Sequence, residues 1–219
     1  DGLGPLFNAR SCQSCHLKDG RGHAPSGNWP KDDAVSMFLR LSIPPINEEQ
    51  RDLIAKHRLN VIPDPTYGEQ LQDLAIQGHH AEGKMWIEYQ EIEHFFEDGS
   101  IVSLRKPTYS ILNWKYGKPH PQLLISPRVA PPMIGLGLLE AVSQKDILAN
   151  AISGKANLVW DTQKQKVALG RFGWKAGEPN IRQQSSKAFN ADIGISAPLV
   201  KTPWGDCTPT QQKCRNAPN

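Results

Sequence analysis

The sequence has little that would place the chain in a membrane or on a nucleic acid. It contains no run of 18 apolar residues, so it predicts no membrane span. The formal net charge is only +3, and no basic run is interleaved with aromatic residues, which argues against nucleic-acid binding. Residues 1–5 lack the charged and apolar regions of a signal peptide. We therefore expect a mature chain or, because the loop-like residues 216–219 do not complete an element, a piece of a longer protein.

Cysteine is also scarce, and the spacing of the four cysteines excludes several kinds of site. Cys12 and Cys15 form a C-x-x-C pair, whereas Cys207 and Cys214 do not have that spacing. A zinc site would need a second C-x-x-C pair nearby. A thioredoxin-like redox pair would need alternating strands and helices, which the sequence does not show.

The segment Cys12-Gln13-Ser14-Cys15-His16 has the C-x-x-C-H spacing at which c-type haem is attached. Two cysteines three positions apart lie about one helical turn apart, so both thiols can reach the vinyl groups of one porphyrin. The adjacent His16 then lies under the iron and supplies an axial imidazole ligand. The motif predicts one covalent haem c in this chain.

Attachment of haem c takes place outside the bacterial cytoplasm, so the motif predicts an exported, periplasmic protein. Cys207 and Cys214 enclose six residues, and an even pair in an oxidising compartment most simply forms a disulfide. The alternative is two free, buried thiols.

Glycine and proline are abundant, with 18 of each, which favours long irregular connections around a prosthetic group. We predict a mainly α, cytochrome c-like haem domain with a small inserted β-meander. The predicted zones are a helical haem-attachment part (residues 1–60), a β-rich insertion (61–128) and a helical remainder that completes the domain (129–219).

Individual patterns predict the elements of these zones. Helices are expected at Phe7–His16, after Asp32-Asp33 through Leu41, at Asn47–Leu59, at Met133–Val142 and at Pro179–Asp192. Strands are expected at Met85–Gln90 and Ile101–Leu104, joined by a turn at Glu97–Ser100.

Several segments together resemble the di-haem oxidoreductases described as putative peroxidases or predicted thiol oxidoreductases. They are Gly4–Asn8, Pro63–Gly68, Arg105–Tyr109, Ser126–Pro132, Gly135–Ala141 and Gly170–Ala176. That family is distantly similar to bacterial di-haem cytochrome c peroxidases and to the MauG enzymes. The resemblance implies two haems, but this sequence has one C-x-x-C-H, so the second haem would lie outside it. The chain also runs through residues 149–154 where the family usually has a longer Asp/Gly-rich loop, which leaves a calcium site there doubtful.

The resemblance also implies where peroxide chemistry would take place. The order of motifs from Gly170 to Gly194 matches Gln184 (or Gln183) with a distal amide and Asp192 with a distal acid. A carboxylate moves a proton between the peroxide oxygens, while an amide orients the bound oxygen. Both side chains approach one iron only if the helix ends before Asp192 and the chain folds back.

Further candidates surround the iron. Met133 and His120 are candidates for the sixth ligand. Arg128 and Arg171 are candidates for binding the haem propionates, because a planar guanidinium matches a carboxylate. Trp174 is a candidate wall or electron path beside the haem.

Two main functions remain open at the sequence level. The first is an oxidoreductase whose haem reacts with hydrogen peroxide or another small oxidant and receives electrons from the second haem or a redox partner. The second is an electron-transfer cytochrome domain with six-coordinate iron and no substrate. A scaffold role for residues 61–128 is a third possibility.

Overall fold

The computed structural model describes residues 2–33 and 35–217. Of these residues, 20% are helical and 27% are in strands, so the prediction of a mainly α fold is wrong. The described residues form four separate two-stranded antiparallel sheets, joined by short helices and irregular segments. A chain rich in glycine and proline forms few long helices, and here the regular structure is mostly local hairpins and short pairings.

The strands, in chain order, are β1 (Leu6–Phe7), β2 (Met37–Ser42), β3 (Leu74–Ala75), β4 (Lys84–Phe95), β5 (Ile101–Leu112), β6 (Leu124–Val129), β7 (Leu158–Asp161) and β8 (Lys166–Leu169). The α-helices are α1 (Cys12–Cys15), α2 (Glu48–Ala55), α3 (Leu136–Ala141), α4 (Gln144–Ala149), α5 (Ile181–Ala191) and α6 (Gln212–Arg215). The sheets pair β1 with β3, β2 with β6, β4 with β5 and β7 with β8.

The segment up to Leu41, for which a helix was predicted, forms β2 instead. Met37, Leu39 and Leu41 are buried and the residues between them are half-buried, which is the period of a strand. The apolar residues of this segment fit a helical spacing as well, and pairing with β6 decides between the two. Because β2 and β6 pair, strands are not confined to the predicted insertion; the domain boundaries themselves stay a prediction.

The β4–β5 hairpin agrees with the predicted strands and turn. Its register runs from Lys84 opposite Leu112 to Phe95 opposite Ile101. The inner half packs against the core, whereas residues 90–108 are exposed throughout. The meander is therefore a long two-stranded ribbon whose outer half extends into solvent.

The helices are shorter than the sequence predicted. The helix that contains Cys12 and Cys15 is confined to α1, because Leu6 and Phe7 pair with β3. Helix α3 begins at Leu136, after a left-handed Gly135, three residues later than the predicted start at Met133. Helix α5 agrees best with its prediction: Asn180 caps it by accepting a hydrogen bond from the main-chain N–H of Gln183.

The main buried cluster lies between β2, β6 and the inner half of the hairpin. It consists of Met37, Leu39, Leu41, Tyr67, Leu71, Met85, Ile87 and Ile111. The Tyr67 hydroxyl donates to the carbonyl of Gly117 at 2.6 Å, so the buried phenol is satisfied. Among the described residues, no helix has the length and apolar character needed to cross a membrane.

Candidate haem site

Helix α1 presents the two cysteines of the motif as free thiols. Ser11 caps the helix, accepting a hydrogen bond from the main-chain N–H of Ser14. Cys12 is exposed and Cys15 is half-buried, and neither is in a disulfide. Residues three apart lie on the same side of a helical turn, so both sulfurs are on one side of α1.

The surroundings of Cys15 keep its thiol protonated. Its Sγ donates to the carbonyl of Val35 at 2.7 Å. Burial raises the pKa of Cys15 to about 12, and the negative charges of Asp192 and Asp73 add to this effect. Disulfide exchange needs a thiolate, so the environment of Cys15 argues against a redox pair.

The imidazole of His16 is oriented by a main-chain carbonyl. Its Nδ1 lies 2.7 Å from the oxygen of Pro131. A carbonyl only accepts hydrogen bonds, so Nδ1 is the donor in this contact and Nε2 is the ring nitrogen that remains for a metal. This is the second-shell arrangement by which proteins orient a metal-ligating histidine. The residues at the motif thus fit a haem iron: one oriented imidazole and two thiols on the preceding turn.

Large apolar side chains are exposed around this segment. Leu17 is 53% exposed, Ile134 69%, Leu138 79% and Trp174 54%. The main-chain N–H of Ile134 donates to the Asp19 carbonyl, so the start of the α3 segment lies beside the motif. An apolar group seated here would remove this surface from water, and a porphyrin has the required hydrophobic faces.

Trp174 contacts the main chain of Val129, and Gln184 lies beside Gly173, the residue that precedes Trp174. The Trp174 indole N–H donates to the Val129 carbonyl, two residues before Pro131. A Cβ added at Gly173 would lie 3.1 Å from the Oε1 atom of Gln184, so the amide is next to this turn.

Gln183, the other amide considered, is buried in a separate network. Its Oε1 accepts from the main-chain N–H of Thr162 at 2.9 Å, and its Nε2 donates to Glu178 at 2.8 Å. Both ends of the Gln183 amide are therefore engaged within the protein. Of the two glutamines, Gln184 is the better candidate for the distal amide.

Asp192 caps the C-terminal end of α5 and is held inside the protein. Its Oδ1 accepts from the Gln70 amide at 2.8 Å, and its main-chain oxygen accepts from the N–H groups of Asn8 and Ala9. Burial raises the pKa of Asp192, whereas the Gln70 hydrogen bond and the charges of Arg40 and His16 lower it. Asp192 is thus close enough to the motif for His16 and Cys15 to interact with its charge.

Gln184 and Asp192 are not on the same turn. Helix α5 is continuous to Ala191, so eight residues separate the two side chains by about 12 Å along the helix axis. The fold-back before Asp192 that would bring both to one iron is not present. Their joint distal role stays a prediction.

The two arginine candidates differ in their contacts. Arg171 donates from Nη1 to the carbonyls of Glu140 and Val142, at the C-terminal end of α3. Arg128 is half-buried on β6, where burial and the neighbouring Arg40 lower its pKa.

The two candidate sixth ligands also differ in position. The main-chain N–H of Met133 donates to the carbonyl of Asp19 at 2.9 Å, which places this residue beside the motif. His120 belongs to another loop: its main-chain N–H donates to Asp64, and its Nδ1 accepts from the N–H of Gln122. Of the two, Met133 has a direct connection to the haem segment.

Three participants were missed by sequence reasoning. They are the carbonyl of Pro131 and the side chains of Gln70 and Arg40. A carbonyl is present at every residue, so its role has no residue-type signal. Arg40 lies on β2, and an isolated β-bridge pairs it with Gln70. Such pairings between distant segments have no local sequence signal.

The site combines an oriented imidazole with two thiols on one helical turn, and exposed apolar side chains surround them. These features are the ones that a c-type haem requires. The chain belongs to the family described as "di-haem oxidoreductase, putative peroxidase", whose model matches residues 1–209 of the 219. Membership implies a haem cofactor, together with a second haem or a redox partner. No curated protein and no solved structure matches the chain. Within residues 2–33 and 35–217, no group of three or more His, Cys, Asp or Glu side chains is arranged to hold a separate metal ion.

Proposed function

We propose that this chain is a c-type haem oxidoreductase of the di-haem peroxidase type. The observation that carries the proposal is the hydrogen bond between His16 and Pro131, which leaves Nε2 free beside two unpaired cysteines. Cys12 and Cys15 would hold the haem through thioethers, and His16 would be the proximal ligand. When bound, the haem supplies a redox-active iron that exchanges electrons with a second haem outside this sequence and reacts with peroxide or another small oxidant.

The protein side chains have distinct roles in this proposal. Trp174 would exclude water from one edge of the haem. Because α5 separates Gln184 and Asp192 by about 12 Å along its axis, the two side chains would not act on the same bound oxidant, and the proposal gives the proton-handling role to Asp192. The buried carboxyl of Asp192, whose pKa is raised, holds or releases a proton. The Gln70 amide keeps that carboxyl in place.

An electron-transfer cytochrome domain is the second candidate. The observation that favours it is the engagement of Asp192 with Gln70, because a carboxylate held in a buried network is less available to a substrate. The position of Met133 beside the Asp19 turn supplies a possible sixth ligand. In this alternative the iron is six-coordinate and no oxidant binds.

We also propose that the protein works outside the cytoplasm. Haem c attachment takes place there, and Cys207 and Cys214 are within disulfide range, with a Cα–Cα separation of 6.2 Å.

Optical spectra with and without cyanide distinguish the two candidates. For the oxidoreductase, we expect cyanide to change the ferric spectrum and Asp192→Asn to lower peroxide turnover of the full-length enzyme on the order of 10²-fold. Asp98→Asn, at the exposed hairpin turn, is the control and should leave turnover unchanged. A ferric spectrum that cyanide does not change, together with unchanged peroxide turnover of the full-length enzyme carrying Asp192→Asn, would establish the electron-transfer alternative.

A further inference from the structure

Arg40 and Arg128 are neighbours on one face of the β2–β6 sheet. The register places Arg40 opposite Ser126 and Arg128 opposite Phe38, so the two arginines are diagonal partners on the face away from the core residue Leu39. Side chains in such diagonal positions are within reach of each other when they are long. Strand pairing alone therefore places the two arginines within reach of each other on one face of the sheet.

Only one of the two arginines has a counter-charge. Arg40 forms an ion pair with Glu69 at 3.0 Å and donates to Gln70 at 3.0 Å. The guanidinium of Arg128, unlike its main chain, forms no hydrogen bond or ion pair with any part of the chain that the structure describes. A half-buried cation next to a second cation is unfavourable unless an anion compensates it. This asymmetry points to an anion that binds at Arg128.

Both strands lead directly to the haem segment. β6 ends at Val129, one residue after Arg128, and the chain then reaches Pro131, whose carbonyl orients His16. β2 follows Val35, whose carbonyl contacts Cys15. Three residues of extended chain span about 10 Å, so Arg128 lies within about that distance of the residue whose carbonyl orients His16.

We propose that Arg128 binds one propionate of the haem, with Arg40 adding positive charge beside it. This assignment rests on the proposed attachment of haem at Cys12 and Cys15. A guanidinium offers two parallel N–H donors that match a carboxylate, which a lysine does not reproduce. Arg171, the other candidate, already donates to two carbonyls at the end of α3 and is assigned to that helix end.

The test is the midpoint potential of the haem-loaded full chain and of three variants. Arg128→Gln removes a positive charge near the haem, which favours the ferric form and lowers the potential. We expect a change in the ferric-to-ferrous ratio on the order of tenfold, which is 59 mV for one electron. Arg128→Lys keeps the charge and should recover most of this shift. Arg51→Gln, an exposed arginine of α2, is the control and should leave the potential unchanged.

Each outcome separates the propionate assignment from the proposed function. If Arg128→Gln carries covalent haem at the potential of the unaltered chain, or if Arg171→Gln produces the shift instead, the assignment to Arg128 is wrong and the haem site stands. If the unaltered chain attaches no haem, the proposed function itself fails. Should Arg128→Gln not fold, the propionate bending band in resonance Raman spectra decides: it should move in Arg128→Lys, and an unmoved band overturns the assignment.

Discussion

The Nδ1 atom of His16 lies 2.7 Å from the carbonyl oxygen of Pro131, although 115 residues separate the two in sequence. Helix α1 is a single turn, too short to fix the direction of a side chain by itself. The orientation of the imidazole is therefore set by the irregular segment that follows β6. The motif supplies the chemistry, and a distant stretch of chain supplies the geometry.

Gly4 and Gly194 pack main chain against main chain in the segment that precedes the C-x-x-C-H motif. A Cβ added at Gly4 would lie 1.8 Å from the main-chain oxygen of Gly194. We expect Gly4→Ala to lower the free energy of unfolding by about 3 kcal/mol or more, because main-chain atoms must move apart. Urea denaturation measures the change. Gly27→Ala, with nothing within 4 Å of its added Cβ, is the control, and equal stabilities of the two variants would contradict the packing described here.

The proposed disulfide between Cys207 and Cys214 gives a second prediction. Closing a loop of this length by a disulfide should stabilise the fold by roughly 2 kcal/mol through the unfolded state. The double variant Cys207→Ser/Cys214→Ser should be less stable by that amount in urea, and reduced wild-type protein should match it. Two reactive thiols in the unreduced, haem-loaded protein would show that the pair is not linked.

Asp206 predicts a dependence of stability on pH. Burial, and next the charge of Glu69, raise the pKa of Asp206 from 3.8 to about 7, although its carboxylate accepts main-chain N–H groups of Glu69 and Gln70. Between these pKa values the folded state binds more protons than the unfolded state. The contribution of Asp206 is therefore fully present below pH 3.8 and is lost as the pH rises towards 7, at up to about 1.4 kcal/mol per unit.

The corresponding variant isolates this group from the other buried acids. Asp206→Asn should show a smaller loss of unfolding free energy between pH 4 and pH 7 than the wild type. Asp146→Asn, an exposed residue of α4, should keep the wild-type slope. Parallel pH profiles for wild type and Asp206→Asn would refute the role given to this carboxyl.

The outer half of the β4–β5 hairpin contributes little to the fold. Replacing residues 92–104 by a short turn keeps Arg105, which contacts Ser26 and Tyr89, and removes only exposed residues, so the free energy of unfolding should change by no more than about 0.5 kcal/mol. Ile87→Ala, in the buried inner half, should destabilise by about 2–4 kcal/mol because it leaves a cavity. A large loss of stability on truncation would mean that the outer half packs against the body of the protein.

The features that the sequence predicted correctly have local causes. The Asn-capped helices α2 and α5 and the turn at Glu97–Ser100 each depend on residues that interact within a few positions. Such caps and turns can be predicted from the sequence because they form without a distant partner.

What was missed depends on distant partners. The apolar spacing of β2 fits a helix until β6 provides its hydrogen bonds. The β7–β8 hairpin was not predicted, and the long helix expected at Phe7 is replaced by the pairing of β1 with β3. In the site, the carbonyl of Pro131 and the free charge of Arg128 become visible only when the chain is folded.

Extraction with acid and acetone, followed by the mass of the protein, tests the covalent haem most directly. The colour should stay with the unaltered protein, whose mass should exceed that of the polypeptide by one haem. The double variant Cys12→Ser/Cys15→Ser, treated in the same way, should release any haem it holds. Haem that extracts freely from the unaltered protein, or zinc in place of iron, would contradict the assignment of Cys12, Cys15 and His16 as a c-type haem site.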